Sequence, residues 1–216
     1  MHYKDKIAAR AATELESGQI VNLGIGLPTL ILEYLPQDTD IFVHSENGIL
    51  GMGKRCRAKE ADPMLIDSGG GYIFSRTGAS FFDSALSFSL VRGGRLDVAV
   101  LGTLEVAGNG DLANWIIPGK FAPGIGGGME LAKKARKLIV TTTHTTRKGA
   151  PKIIPECTLP VTAKGCVDMI ITELAVLDII DERLHLRELA READLDDVLE
   201  KTGVEVVVPH GDIPVF

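Results

Sequence analysis

The chain has too few cysteines for a covalent or metal-held framework. Cys56, Cys157 and Cys166 are its only three, an odd count without CxxC spacing, so neither a disulfide scaffold nor a zinc ribbon is available. The histidines His2, His44, His144, His185 and His210 include no pair at metal-ligand spacing, and no bound metal is expected. No stretch reaches the roughly 18 apolar residues that a membrane span needs. The opening Met1-His2-Tyr3-Lys4-Asp5-Lys6 leads into no long apolar run, so a cytoplasmic protein is expected. An excess of basic residues is also missing: 23 Lys and Arg face 29 Asp and Glu, a net charge of −6. Nucleic acid is therefore not an expected partner, because phosphate binding needs a concentrated basic face. The longest basic cluster, Lys133-Lys134-Ala135-Arg136-Lys137, reads as a solvated helix end before a strand.

Glycine is what the chain has in excess. There are 24 in 216 residues, twenty of them between Gly18 and Gly128, against roughly 7% in average usage. Glycine weakens helix and strand interiors, so this density predicts turns, caps, or backbone lying close to a ligand.

Hydrophobic spacing supplies the elements. Ile7, Ala8, Ala11, Ala12 and Leu15 predict an amphipathic helix stopped by Gly18. Gln19–Leu23 and Ile41–Val43 read as strands. Between them Pro28 opens a helix with Leu30, Ile31 and Leu35 on its apolar side. Phe81–Val91 is apolar nearly all round, which predicts a buried helix ended by Gly93. Leu96–Leu101, Leu138–Thr141, Val167–Ile171, Val176–Ile180 and Glu205–Val208 read as further strands. Asp194 caps a last helix through Leu199, ended by Gly203. Alternating strands and helices predict an α/β fold, with a mostly parallel sheet and helices on both faces, in one domain over residues 1–216. Ligands of such sheets sit beyond the carboxyl ends of the strands.

Two glycine loops imitate nucleotide motifs and fail at one residue each. Gly48-Ile49-Leu50-Gly51-Met52-Gly53-Lys54-Arg55 has the GxxxxGK spacing of a P-loop, but Arg55 stands where a magnesium-holding Ser or Thr is required. Gly24-Ile25-Gly26 starts a dinucleotide fingerprint, but Thr29 occupies the third glycine position. Gly124-Ile125-Gly126-Gly127-Gly128-Met129 is different. It enters a helix, and successive glycine N–H groups there can form an anion cradle; a flexible loop without a ligand is the alternative.

Glu46 lies just past a strand, between Ser45 and Asn47-Gly48. Asn-Gly favours a sharp turn with positive φ, which would point Glu46 into the crevice at the strand ends. Carboxylates are ordinarily ionised at neutral pH, so one can act as a nucleophile without a partner base. An exposed loop glutamate is the plainer reading of the same residues.

The run Ser45-Glu46-Asn47-Gly48-Ile49-Leu50-Gly51-Met52-Gly53 resembles the SENG signature of family I coenzyme A transferases, specifically the B subunit of the 3-oxoacid type. The likeness extends over nearly the whole chain. It takes in Asn22–Thr29, Phe82-Asp83-Ser84-Ala85, Val91-Arg92-Gly93-Gly94, Gly110–Trp115, Ile117-Pro118-Gly119-Lys120, Gly126–Met129, Cys157-Thr158-Leu159-Pro160 and Ile171-Thr172-Glu173. The resemblance implies the three-layer, Rossmann-like fold of that family. It implies transfer of coenzyme A between an acyl-CoA and a free carboxylic acid, with Glu46 as covalent catalyst and glutamyl-CoA thioester as intermediate. Gly127 and Gly128 would supply N–H groups to the oxyanion, and Gly24, Gly26, Asn47 and Gly48 would shape the crevice. Coenzyme A would be a substrate, with no permanently bound cofactor. A separately encoded A subunit would complete the enzyme, with Glu46 at the A–B interface.

The chain departs from the family pattern at four places. His44 replaces a usual Gln, Asp67-Ser68-Gly69 replaces Asn-Ala-Gly, Gly128 replaces Ala, and Lys54-Arg55-Cys56-Arg57 replaces a proline-rich stretch. The basic run either favours an acid with a second carboxylate or is a solvated loop. His44 is expected to be a core histidine bonded to backbone. Cys157 and Cys166 are expected to be inert, and Thr141–Thr146 a strand end and turn. Two other readings of the same residues are a sugar-phosphate isomerase and a non-catalytic nucleotide- or CoA-binding module.

Overall fold

A computed structural model describes residues 2–119 and 124–216, so Lys120 of the resemblance lies outside the described residues. In chain order the elements begin with α1 (Tyr3–Ala12), β1 (Ile20–Leu23), a 3₁₀ helix (Leu27–Glu33), β2 (Phe42–Ser45), β3 (Ile49–Arg55), β4 (Ile73–Phe81), α2 (Ser84–Arg92) and β5 (Val98–Gly102). There follow β6 (Glu105–Ala107), β7 (Leu112–Ala113), α3 (Gly128–Lys134), β8 (Lys137–Thr141), β9 (Ile153–Ile154), β10 (Met169–Ile171), β11 (Ala175–Ile180), β12 (Arg183–Leu189), α4 (Leu195–Lys201) and β13 (Val206–Val207).

Ten strands form one sheet in the order β13-β12-β11-β10-β8-β5-β1-β2-β3-β4, and β7-β6-β9 form a small second sheet. The central five, β10-β8-β5-β1-β2, are all parallel. Their side chains alternate between two cores. Val98 and Val100 face one with Val21, Val43, Ile139 and Ile171, while Ala99 and Leu101 face the other with Leu138, Val140 and Ile170. Burial on both faces is why these strands read as unbroken apolar runs. Helix α1 and Ile31 of the 3₁₀ helix close the first core, and Val91 of α2, Leu131 of α3 and Val198 of α4 close the second.

The sheet is parallel only in its centre. At one margin β2, β3 and β4 are antiparallel, and at the other β10, β11 and β12 are, with β13 parallel to β12. Strands β3, β4 and β12 are additions to the sequence reading. Strand β12 carries a plain alternating signal, with Leu184 and Leu186 buried and Arg183 and Arg187 exposed. Strand β4 has no such signal, being exposed along most of its length.

Two expectations about helices need correction. Helix α1 ends at Ala12, and Gly18 instead takes φ +87° in the turn before β1, where its N–H donates to the Asp40 carbonyl. The predicted buried helix over Phe81–Val91 starts at Ser84, and only Ser87 and Val91 of α2 are buried. Phe81 belongs to β4, and Phe81 and Leu86 are 59% and 50% exposed. Gly93 is the C-cap of α2, as expected. Residues 133–137 do form an exposed helix end running into β8.

Arg10 anchors α1 to the sheet. Its guanidinium donates through Nε and Nη2 to the Glu188 carboxylate at 2.7 and 2.6 Å, and through Nη2 to Glu14 at 2.9 Å, with all three side chains largely out of water. Removing the cation would take both close donors from the largely buried Glu188 carboxylate, leaving it Arg187 at 3.7 Å, while Glu14 keeps Lys137 at 2.8 Å. Arg10→Ala is expected to cost about 3–5 kcal/mol, as for other broken buried pairs, measured as a drop in the urea unfolding free energy. Lys54→Ala, which breaks the exposed pair with Glu33, should change it by about 1 kcal/mol at most.

Candidate active site

Strand β2 ends at Ser45, and the chain reverses over Glu46-Asn47-Gly48 into β3, with Ser45 paired to Ile49 across the hairpin. Gly48 has φ +120°, and a β-carbon there would lie 1.9 Å from the Phe82 carbonyl oxygen. No other residue type fits. The Gly48 carbonyl in turn accepts from the Phe82 N–H at 3.0 Å, so the turn is held at the start of α2. Asn47 is exposed and donates its Nδ2 to the Ile66 carbonyl at 2.7 Å. Its role is to tie the hairpin loop to the segment before Asp67.

Glu46 is half-buried in a crevice at the carboxyl ends of β1 and β2, lined by Gly24, Ile25, Thr29, Met52, Asp67 and Ser68. Asn22 of β1 donates its Nδ2 to Glu46 Oε2 at 3.3 Å. The same Nδ2 approaches the His44 ring Nδ1 and the His44 carbonyl, each at 3.2 Å. An ionised carboxylate and a carbonyl can only accept, so the amide must present its NH₂ to them. His44 Nδ1 is then the acceptor, and the ring proton sits on Nε2, 2.9 Å from Ser87 Oγ of α2. Burial lowers the His44 pKa, and the nearby Glu46 charge opposes this only in part. The expected backbone partner for the His44 ring is thus replaced by two side chains, Asn22 and Ser87.

The second glycine loop reaches the same place. A β-carbon on Gly127, the N-cap of α3, would lie 3.6 Å from Glu46 Cγ and 2.9 Å from the Phe88 ring. Bare backbone therefore faces Glu46 at Gly127. Gly128 is one step removed, since its N–H donates to the Ile125 carbonyl at 3.1 Å. Gly24 approaches β5, where a β-carbon would meet Leu101 and the Val100 carbonyl at 3.1 and 3.2 Å. Gly26 caps the 3₁₀ helix at φ +91°. The structure brings Glu46, Gly24 and Gly127 together, uses Asn47, Gly48 and Gly26 for shape, and adds Asn22 and Ser87. Asn22 had one sequence signal, a polar residue inside the apolar strand Ile20-Val21-Asn22-Leu23.

The remaining candidates are structural. Cys157 and Cys166 are unpaired, and burial followed by neighbouring carboxylates pushes their thiols up to about 11 and about 12, which makes them poor nucleophiles. His144, in the turn after β8, is fully buried between Thr172 and Thr202, and burial brings its pKa down to about 4.

Two results are expected. Gly48→Ala should displace the hairpin loop and cost at least about 1 kcal/mol of stability; a variant crystal structure retaining the Asn22–Glu46 contact at wild-type stability would contradict this. His44 should remain neutral with its proton on Nε2 at pH 6.5, because its folded pKa is lowered; ¹⁵N NMR showing imidazolium there would refute the assignment.

Comparison with known proteins shows the family. The pattern of the Coenzyme A transferase family matches residues 4–201. The chain is 46% identical over 205 residues to the beta subunit of a probable coenzyme A transferase of Bacillus subtilis, covering 95% of this chain and 94% of that one. It is 47% identical over 202 residues to the beta subunit of the acetate CoA-transferase of Escherichia coli, covering 94% and 92%. It is 45% identical over 205 residues to the B subunit of the 3-oxoadipate CoA-transferase of Acinetobacter baylyi, covering 94% of each. Among solved structures, an acyl-CoA transferase of E. coli O157:H7 superposes with a TM-score of 0.78 at 24% identity, over all of this chain but 43% of that longer one. Glutaconate coenzyme A-transferase of Acidaminococcus fermentans gives 0.68 at 18% identity, over 98% and 90%.

Proposed function

This chain belongs to the coenzyme A transferase family, and on that premise we propose that it transfers coenzyme A between an acyl-CoA and a 3-oxoacid or short-chain acid through a covalent intermediate on Glu46. The Glu46 carboxylate attacks the thioester carbonyl and expels CoA thiolate, leaving an acyl-glutamyl anhydride. The thiolate then attacks the glutamyl carbonyl and releases the first acid, giving a glutamyl-CoA thioester. The second acid runs these steps in reverse. One thioester is present before and after, so no ATP is required, and the failed P-loop is consistent with this. Both intermediates hydrolyse readily, so the crevice must exclude water.

What carries the reading is the position of Glu46: in a crevice at the strand ends, with an N–H donor from Asn22 on its carboxylate and backbone at Gly127 beside its side chain. Each step passes through an oxyanion, and a fixed N–H donor to it is worth about 10²–10³ in rate. The Gly127 N–H is the candidate donor. Gly128 can join it only by releasing Ile125.

A separate alpha subunit of similar size completes the enzyme. Supporting this are the relatives named as beta subunits, and large apolar side chains left in water beside the crevice and along β4, α2 and α3: Ile25, Phe74, Phe81, Leu86 and Met129. Exposed apolar surface of that extent marks a contact with another protein. The three free thiols suit a reducing compartment, in keeping with a cytoplasmic enzyme.

The test is co-expression with its alpha subunit. Incubation with acyl-CoA and no acceptor should attach CoA, less one water, to Glu46, as read by peptide mass spectrometry. Glu46→Gln should form no adduct and lose turnover by at least about 10³-fold, on the scale of other covalent catalysts. An active Glu46→Gln enzyme would eliminate the mechanism. An inert wild-type complex that still binds acyl-CoA would favour the non-catalytic module. The family match gives the isomerase reading no support.

A further inference from the structure

The Glu46 crevice does not end at Glu46. Past Thr29, Met52 and Asp67 it adjoins a cavity of about 170 Å³ under the 3₁₀ helix, walled by Leu30, Leu32, Met52 and Ile73. Gly53 forms part of its floor, packed so closely on β4 that a β-carbon would meet the Phe74 carbonyl at 2.8 Å. The walls are apolar, and two charged pairs border them. Glu33 is engaged by Lys54 at 3.3 Å, an exposed contact. The other pair is Arg55 with Asp67.

Arg55 is held in an unusual way. Its Nε and Nη2 both donate to a single oxygen, Asp67 Oδ2, at 3.1 and 2.9 Å. The other oxygen, Oδ1, accepts from the N–H groups of Gly69 and Gly71 at 2.9 and 2.8 Å. The Asp67 side chain is only 6% exposed, whereas that of Arg55 is 50% exposed. A buried, fully bonded carboxylate thus grips the guanidinium by one edge. The other edge, formed by Nη1 and the second Nη2 proton, has no protein partner among the described residues. Such an edge can take a carboxylate in a two-pronged hydrogen bond. Of the cations in the run Lys54-Arg55-Cys56-Arg57, Arg55 alone lines this cavity.

We propose that this cavity is the acid subsite, and that Arg55, aimed by Asp67, binds the remote carboxylate of a dicarboxylic acid whose other carboxylate reacts at Glu46. The assignment rests on the transferase reading of Glu46. The methylenes between the two carboxylates lie against Met52 and Ile73. Asp67 also sets the size of the selectivity. Because it already neutralises Arg55, a monocarboxylic acid leaves no bare buried charge behind, and it is disfavoured rather than excluded.

The experiment uses the assembled two-subunit enzyme and the acyl-CoA that labels Glu46 as donor. Acceptors are compared in pairs of equal chain length, succinate with butyrate and adipate with hexanoate. In one pair or both, the wild type should favour the diacid in kcat/KM by about ten- to a hundredfold, the worth of one charge-assisted hydrogen-bonded contact. Arg55→Met should abolish that preference through the KM of the diacid, while the monoacid rate and the Glu46 adduct persist. Asp67→Asn keeps acceptors for the Gly69 and Gly71 N–H groups but loosens Arg55, and it should give a partial loss. An equal or monoacid-favouring wild type, or an unchanged ratio in Arg55→Met, would overturn the subsite and leave the transferase reading intact. A wild type that forms no adduct would overturn both. Unfolding midpoints of the variant complexes separate loss of selectivity from loss of fold.

Discussion

The Phe82 carbonyl leaves no room for a side chain at Gly48, and most of the site follows from that contact. Strand β2 runs parallel to β1, but β3 must return antiparallel within the three residues Glu46-Asn47-Gly48. Only a residue without a β-carbon can take φ +120° against the backbone that leads into α2. The turn is thereby fixed on both sides, to the sheet through Ser45 and to α2 through Phe82. Glu46 sits at its apex because the reversal happens there. The same packing brings Phe88 of α2 against Gly127, so the second glycine loop is registered against the first.

Polarity in the site then propagates inward from one acceptor. A carboxylate cannot donate, so Asn22 must offer its amide hydrogens, and His44 must accept on Nδ1 and donate from Nε2 towards Ser87. Every member but Glu46 is buried. In such surroundings a wrongly turned amide or a protonated ring is expensive, which keeps the chain of bonds in one arrangement. One atom of the amide is left out: Asn22 Oδ1 is buried without a partner among the described residues. The neighbours of the amide, Glu46 and the His44 carbonyl and ring Nδ1, are all acceptors, so the oxygen finds no donor. The unbonded oxygen is the cost of directing both hydrogens towards Glu46 and His44.

The parts of the fold that the sequence made legible were those where burial was two-sided. Strands β1, β5 and β8 read as plain apolar runs because both faces of the central sheet are covered. At the margins β10, β11 and β13 were read, whereas β4 was not, being exposed along most of its length, and β3 and β4 shift register where they pair. Phe81–Val91 looked like a buried helix because its apolar content was high, but content does not say whether the covering partner belongs to the same chain. Glu46 was legible through its Asn-Gly turn. Asn22 was not, since only the pairing of β1 with β2 brings it beside His44 and Glu46. The engagement of Gly128 with Ile125 depends on loop geometry that glycine spacing does not encode.

Strand β4 has a consequence for how the protein can be made. It is nine residues long, it closes the ten-stranded sheet, and its outer rim of backbone donors and acceptors has no neighbouring strand among the described residues. Phe74 and Phe81 stand exposed along it, with Arg76 as its single charge. A rim of this kind is a template for unintended strand pairing. A polypeptide released alone from the ribosome would offer it to every other copy, so a subunit laid over this rim would protect solubility as well as completing the proposed reaction centre. Shortfall of that subunit would show first as inclusion bodies and proteolysis, before any change in metabolic flux.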